Sequence, residues 1–382
     1  MKRVGIVGGG QLARMLALAG RPLGLEFTAL DPGSDACASA AARLVVAPYD
    51  DTAALAHLAS LSDVVTYEFE NLSAAALDGL AAAVPVRPPT RSLLTSQDRL
   101  VEKTLFGSLG MATAPHRAVN TAEELNGALA VLGCPAILKT RRLGYDGKGQ
   151  AMIRQASEVR QAWNAVTGGA LGAELILEGF VRFKAEVSQV SCRGADGAIV
   201  HYPLTENVHS GGILRRSIPL AEKTASCWAP LARAAMERLM IELGHVGVLC
   251  LEFFVTEDGI VANEMAPRVH NSGHWTIDGG GVSQFENHVR AVAGLPLGDP
   301  NPCRAVAMVN LIGEIPDPAK VLSLPFVRLH DYAKEARAGR KVGHLNLVPA
   351  QGSSMRACLE AVAPLVGVET RAAILTPSVS EA

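Results

Sequence analysis

The chain has 382 residues, enough for two or three domains and a large core. Apolar residues make up 49% and charged residues 19%, which excludes a disordered chain; a formal net charge of -2 excludes general affinity for nucleic acid or anionic membrane. The seven cysteines (Cys37, Cys134, Cys192, Cys227, Cys250, Cys303, Cys358) are scattered without a C-x-x-C pair, against a disulfide framework or structural zinc. With no signal peptide, and no apolar run near the roughly 18 residues of a membrane helix, a cytoplasmic protein is expected.

Residues 2–7 read as a buried strand, Gly8-Gly9-Gly10 as a tight turn and residues 11–19 as a helix. Together with Leu12 and Ala13 they match G-x-G-x-x-A, and Asp31 sits where an acidic ribose ligand would. The same turn suits any anion at a helix N-terminus. Strands at 25–30 and 63–67 follow, the second running into Glu68-Phe69-Glu70-Asn71, so a parallel sheet with helices on both faces is expected. One linking helix is expected over 92–109.

A second unit begins near Met111. A strand at 136–139 ends on Lys139, and Gly144-Tyr145-Asp146-Gly147-Lys148-Gly149-Gln150 follows. A strand-end lysine and a glycine-rich loop can clamp nucleotide phosphates, although the spacing is not Walker A. Taken alone, the pair also fits a surface lysine and a mobile hairpin. Strands are expected at 174–178 and 185–191; Glu178-Gly179-Phe180-Val181 suits backbone contacts to adenine and Glu186 a ribose. Glu206-Asn207-Val208-His209 reads as a polar loop, and 228–243 as a long helix closed by Gly244.

Residues 247–265 read as a hairpin with Glu257-Asp258-Gly259 as its loop. Thr256 then pairs with Ile260, and Glu252 lies opposite Glu264. Two facing carboxylates repel unless a cation sits between them, and a divalent metal answers that need. Arg268, His270, Asn271 and His274 follow at once, donors suited to a developing carboxy or phosphoryl oxyanion. A helix is expected at 283–293, short strands around 305–312, and a basic turn in which Lys334, Arg340 and Lys341 suit a phosphate monoester, or equally a solvated charged turn. No motif is legible after about residue 350.

With these residues in hand, the chain resembles the ATP-grasp enzymes, and among them the 5-(carboxyamino)imidazole ribonucleotide synthases. The resemblance runs from residue 1 to about Leu347. It rests on Gly8-Gly9-Gly10-Gln11-Leu12, Tyr67-Glu68-Phe69-Glu70-Asn71, Gln97-Asp98-Arg99-Leu100, the 144–150 loop, Glu206-Asn207-x-His209, Arg340-Lys341-Val342-Gly343-His344 and, most specifically, Asn263-Glu264-Met265-Ala266-Pro267-Arg268-Val269-His270-Asn271-Ser272-Gly273-His274. It implies an α/β and α+β architecture: a Rossmann-like domain over 1–105, an ATP-grasp domain with a glycine-rich lid over 106–295, and a small, mainly β domain over 296–382 that binds substrate phosphate.

It also implies an activity. ATP phosphorylates bicarbonate to carboxyphosphate, and the amine of 5-aminoimidazole ribonucleotide captures the carboxyl group. By motif, ATP contacts Arg99, Lys139, residues 144–150, Glu178 to Val181, Glu186, His209, Asn263 and Glu264. Glu252 and Glu264 hold magnesium, with two ions expected. Arg268, His270 and Asn271 hold bicarbonate or carboxyphosphate, and Asp146 orients the amine. Gln11, Glu68, Glu70, Tyr145, Lys334, Arg340 and Lys341 meet the ribonucleotide. No biotin is implied, and a homodimer is expected. Ala13 and Ala333 stand where the family pattern has glycine. The alternatives are a formate-dependent glycinamide ribonucleotide transformylase, an NAD-dependent dehydrogenase resting on the N-terminal turn, and a nucleotide sensor with idle carboxylates.

Overall fold

The computed structural model describes residues 2–144, 149–168 and 172–379. Its first sheet is parallel, in the order β3-β2-β1-β4, from β1 (Arg3–Val7), β2 (Glu26–Asp31), β3 (Arg43–Val46) and β4 (Val64–Tyr67). Successive side chains of β1 point to opposite faces. Val4 and Ile6 join a core with Leu12, Leu16, Phe285 and Val289, whereas Val7 joins Leu55, Leu58, Leu77 and Leu80. The helix Gln11–Gly20 thus covers one face and the helices Thr52–Ser60 and Ala74–Ala83 the other, as alternating strands and helices require.

The linking helix expected over 92–109 is two helices, Thr90–Ser96 and Arg99–Ser108. Asp98 makes the break: its carboxylate accepts from the N–H groups of Leu100 and Val101, so the second helix starts on an Asp cap. The same carboxylate pairs with Arg141 at 2.6 Å, tying the helix start to the next sheet.

That sheet is antiparallel, in the order β5-β8-β6-β7: β5 (His116–Val119), β6 (Ala136–Thr140), β7 (Gln150–Ile153) and β8 (Leu175–Gly179). The helices Ala122–Leu132 and Val159–Thr167 close its core with Leu125, Leu129, Val159 and Ala162.

The largest sheet has nine strands: β9 (Ala185–Arg193), β10 (Ile199–His201), β11 (Thr205–Ser210), β12 (Ile213–Pro219), β13 (Gly247–Val255), β14 (Ile260–Ala266), β15 (Ala307–Ile312), β16 (Val327–Asp331) and β17 (Lys341–Leu347). They run in the order β14-β13-β9-β11-β12-β15-β17-β16, with β10 beside β9. The expected polar loop at 206–209 is part of β11. Its polar residues are buried because they are bonded: Asn207 donates to Ser188 at 3.0 Å and accepts from Ser217 at 2.7 Å. A hydrophobic pattern cannot reveal such a strand.

The hairpin of β13 and β14 differs from its expected register at one point. Val255, not Thr256, pairs with Ile260, so the turn is wider by one residue. Phe253 pairs with Ala262, whereas Leu251 pairs with Met265. Glu252 therefore faces both Asn263 and Glu264 across a β-bulge. The bulge restores the expected offset and keeps the two carboxylates together.

The helix Ala229–Glu242 is stopped by Gly244 at φ 58°, as read from sequence. Two helices that carry no readable motif, Met355–Val362 and Val368–Ile374, close the far side of β15 and β17. No helix among the described residues is long and apolar enough to cross a membrane.

Candidate active site

The three sheets surround one cleft of about 1070 Å³. Its walls include Gln11, Glu68 and Glu70 from the first sheet and Arg99 from the helix behind it. Lys139, Gly144 and Gln150 come from the small sheet and its loop. Glu186, His209, Glu252, Asn263, Glu264, Arg268, His270, Asn271, Lys334, Arg340 and Lys341 come from the large sheet and its connections. Sequence-distant candidates are thus gathered in one place. Gly149, Glu178, Gly179, Phe180 and Val181 do not line the cleft, and Tyr145, Asp146, Gly147 and Lys148 lie outside the described residues.

The bulge sets the electrostatics at the centre. Burial and the neighbouring charge of Glu264 raise Glu252 to about 7. Burial also works against ionised Glu264, but Arg99 at 2.9 Å outweighs it and holds that carboxyl below the usual range. The two carboxylates thus repel each other across the bulge, and a cation between them would offset that repulsion. Among the described residues no cage of three or more His, Cys, Asp or Glu side chains exists. Two carboxylates completed by substrate phosphates are the magnesium pattern, so the donor set fits that ion.

Behind this pair lies a buried ion cluster that sequence reading missed. Lys103, 1% exposed, reaches Glu178 at 3.4 Å, and Lys139 reaches the same carboxylate at 2.8 Å. Glu178 is thus the counter-ion of two lysines. The N–H groups of Gly179 and Phe180 are also taken, by the carbonyls of Pro115 and Pro135. Burial lowers Lys139, although Glu178 opposes the shift. Lys103 also donates to the Asn263 carbonyl at 3.1 Å, and the adjacent Glu102 accepts from the Met265 N–H at 2.7 Å. One helix turn so grips the bulge on both sides of Glu264. Burial raises Glu102 to about 8. Adjacent charges on a helix ordinarily read as a solvated face, so nothing in the sequence separates these two from surface residues.

Arg268 pairs with Glu70 at 2.7 Å, and His209 Nδ1 lies 3.2 Å from Glu186. Burial lowers His209, but the Glu186 carboxylate prevails and its pKa is raised. Asn271 and Asn310 exchange amide hydrogen bonds at 3.0 and 2.6 Å. Lys334 donates to Gln11 across the cleft, and Lys341 and Arg340 stand beside it in the wall. Ala333 takes φ 53°, so the glycine expected there answers a real left-handed backbone.

The N-terminal turn is already filled. The helix at Gln11 lacks a side-chain cap of its own. Instead Glu68 accepts from the N–H groups of Gly10 and Ala13, the latter at 2.9 Å. Asp31 accepts from Gly9 and Gly33 at 2.8 Å and from the Tyr49 hydroxyl at 2.7 Å. The donors that a dinucleotide pyrophosphate would need are engaged by these carboxylates, which overturns the dehydrogenase reading. Gly8 keeps φ 107°, and a side chain there would strike Glu68.

Residues 1–97 match the ribonucleotide synthetase preATP-grasp domain, residues 104–285 the ATP-grasp domain, and residues 306–357 the phosphoribosylaminoimidazole carboxylase C-terminal domain. The N5-carboxyaminoimidazole ribonucleotide synthase of Pseudomonas aeruginosa is 46% identical over 368 residues, 95% of this chain and 99% of its own. The synthetase of Thermus thermophilus superposes with a TM-score of 0.90 at 48% identity, covering 95% of this chain and 98% of that one. The enzyme of Aspergillus clavatus, solved with ADP and 5-aminoimidazole ribonucleotide, gives a TM-score of 0.85 at 28% identity, over 97% and 98% of the two chains. In sequence and fold, the chain belongs to the N5-carboxyaminoimidazole ribonucleotide synthase family of ATP-grasp enzymes.

Proposed function

We propose that the protein joins bicarbonate to the amine of 5-aminoimidazole ribonucleotide at the expense of ATP, through carboxyphosphate. The observation that carries this reading is the bulged hairpin, which sets two carboxylates against Arg99 and the lysine cluster in a cleft of about 1070 Å³. Glu252 and Glu264 would hold magnesium, which neutralises charge on the transferring phosphoryl group when bound. Arg99 and Lys139 orient the nucleotide phosphates, and His209 with Glu186 meets its sugar end. Arg268, His270 and Asn271 face the carboxyphosphate oxygens, for which Arg268 must exchange its Glu70 partner. Lys334, Arg340 and Lys341 bind the ribonucleotide phosphate, and Gln11, Glu68 and Glu70 shape its pocket. Biotin has no part in this scheme. The reading includes a homodimer working in the cytoplasm.

The test is ADP release with magnesium-ATP and bicarbonate, with and without 5-aminoimidazole ribonucleotide. Strong stimulation by the ribonucleotide is expected. Turnover only with formate and glycinamide ribonucleotide would move the assignment to the formyl-transferring relative.

A pH dependence follows from Glu252. A carboxyl raised to about 7 must lose its proton before it takes a cation. Affinity of the ADP-loaded protein for Mn²⁺, followed by electron paramagnetic resonance against Mn-ADP alone, should weaken about tenfold per pH unit below 7. An affinity unchanged between pH 6 and 8 would contradict it.

A further inference from the structure

We propose that His270 acts on the bound anion solely as a hydrogen-bond donor, through Nε2, and that Ser272 is the positioning residue that holds it in that form. This rests on the carboxylation reading for the identity of the anion, but the tautomer itself does not.

The assignment starts from a group that can only donate. The backbone N–H of Ser272 points at His270 Nδ1 at 3.3 Å, with the imidazole capping the short helix Asn271–Ile277. Nδ1 must therefore present its lone pair, and the ring proton lies on Nε2. The Ser272 hydroxyl approaches Nδ1 at 2.8 Å as a second donor. Its oxygen accepts from Ser188 at 2.7 Å, which leaves its proton to point at Nδ1. Ser188 in turn accepts from Asn207 at 3.0 Å, and Asn207 from Ser217 at 2.7 Å. Four buried side chains from three strands and the helix start thus donate in one direction, towards the ring.

Gln284 fixes the backbone of His270 and the ring of its neighbour His274. Its Oε1 accepts from the His270 N–H at 2.9 Å, which settles which end of the amide is oxygen. Its Nε2 then donates to the His270 carbonyl at 2.7 Å and to His274 Nδ1 at 3.1 Å. His274 is placed in the same tautomer. A side chain at Gly273 would collide with Gln284, so the glycine is what lets the amide lie this close.

The free edge of His270, Nε2, lies 3.6 Å from Glu252 at the cleft centre. With its one lone pair engaged from behind, the ring offers a proton to an oxyanion and has no site to receive one from the substrate amine. The proton released when the new C–N bond forms must leave to another acceptor.

The experiment combines spectroscopy with two amides of different reach. In the wild-type protein labelled with ¹⁵N-histidine, the His270 resonances should show a proton on Nε2 and none on Nδ1. Ser272→Ala keeps the backbone N–H and should leave the proton on Nε2, but loss of the hydroxyl donor should shift the Nδ1 resonance, and Ser272→Thr should restore it. His270→Gln places an amide N–H near the Nε2 position and should keep at least about a tenth of kcat/KM. His270→Asn, which reaches only the Nδ1 position, and His270→Ala should each lose about a hundredfold or more, as when an oxyanion donor is removed. A proton on Nδ1 in the wild type, or a Gln variant of unchanged thermal midpoint as inactive as the Ala variant, overturns the proposal. Absence of ribonucleotide-stimulated turnover in the wild type would instead fault the carboxylation reading and leave the tautomer measurement standing.

Discussion

Glu264→Gln should lower ribonucleotide-stimulated ATP turnover by roughly 10³-fold, the range seen when a charge serving the transferring phosphoryl group is lost. The substitution keeps the shape of the side chain and an oxygen for Arg99, which lies 2.9 Å from the native carboxylate. What it removes is one of the two negative charges that face each other across the bulge. Magnesium would then have Glu252 alone, and Arg99 would keep an unneutralised charge next to Lys103 and Lys139. Turnover, measured as ADP release, should collapse while the thermal midpoint stays near the native value. A variant retaining more than a tenth of the native rate would place the metal elsewhere.

Glu178→Gln should act on stability rather than on a single catalytic step. Its carboxylate is 4% exposed and stands between two lysines that are themselves 1% and 10% exposed. Removing one partner of a buried ion pair leaves the remaining charge without compensation, at a cost of about 3–5 kcal/mol. For a chain of this length that corresponds to a fall of roughly 5 °C in the thermal midpoint. Magnesium-ADP should recover part of the loss, because its phosphates bring negative charge to Lys139. Differential scanning calorimetry with and without nucleotide reads both effects. An unchanged midpoint in the free variant would mean that the lysines are paired otherwise.

These two residues also mark the limits of reading the chain without coordinates. Glu264 is legible because hairpin pairing is local, which sets the carboxylates face to face. The turn length differs from its sequence reading by one residue, and a bulge compensates for it. Glu178 reads as a nucleotide contact because it stands at a strand end before a glycine. Its true neighbours, Lys103 and Lys139, are 75 and 39 residues away, and only tertiary packing brings the first of them in. Strand β11 is hidden for a related reason: its buried side chains are polar and bonded to one another, so no alternation of apolar residues marks it. The first sheet is easier, since short apolar runs between glycines and helices leave few other arrangements. The helices after residue 350 lie outside every motif and carry no chemistry in the cleft, so only periodicity could reveal them.

The continuity of the large sheet bears on how this enzyme can be divided. Strand β15, from the C-terminal third, pairs directly with β12 through Arg216–Val309 and Ser217–Met308. A fragment cut near residue 295 would bare β12 at Arg216 and Ser217, an invitation to intermolecular strand addition. Split-protein reporters, domain shuffles and fusion junctions are therefore poorly placed at that boundary, whatever its appearance as a linker. Among the described residues the small sheet β5-β8-β6-β7 shares no strand pairing with the large one, and the buried Lys103–Glu178 pair joins them instead.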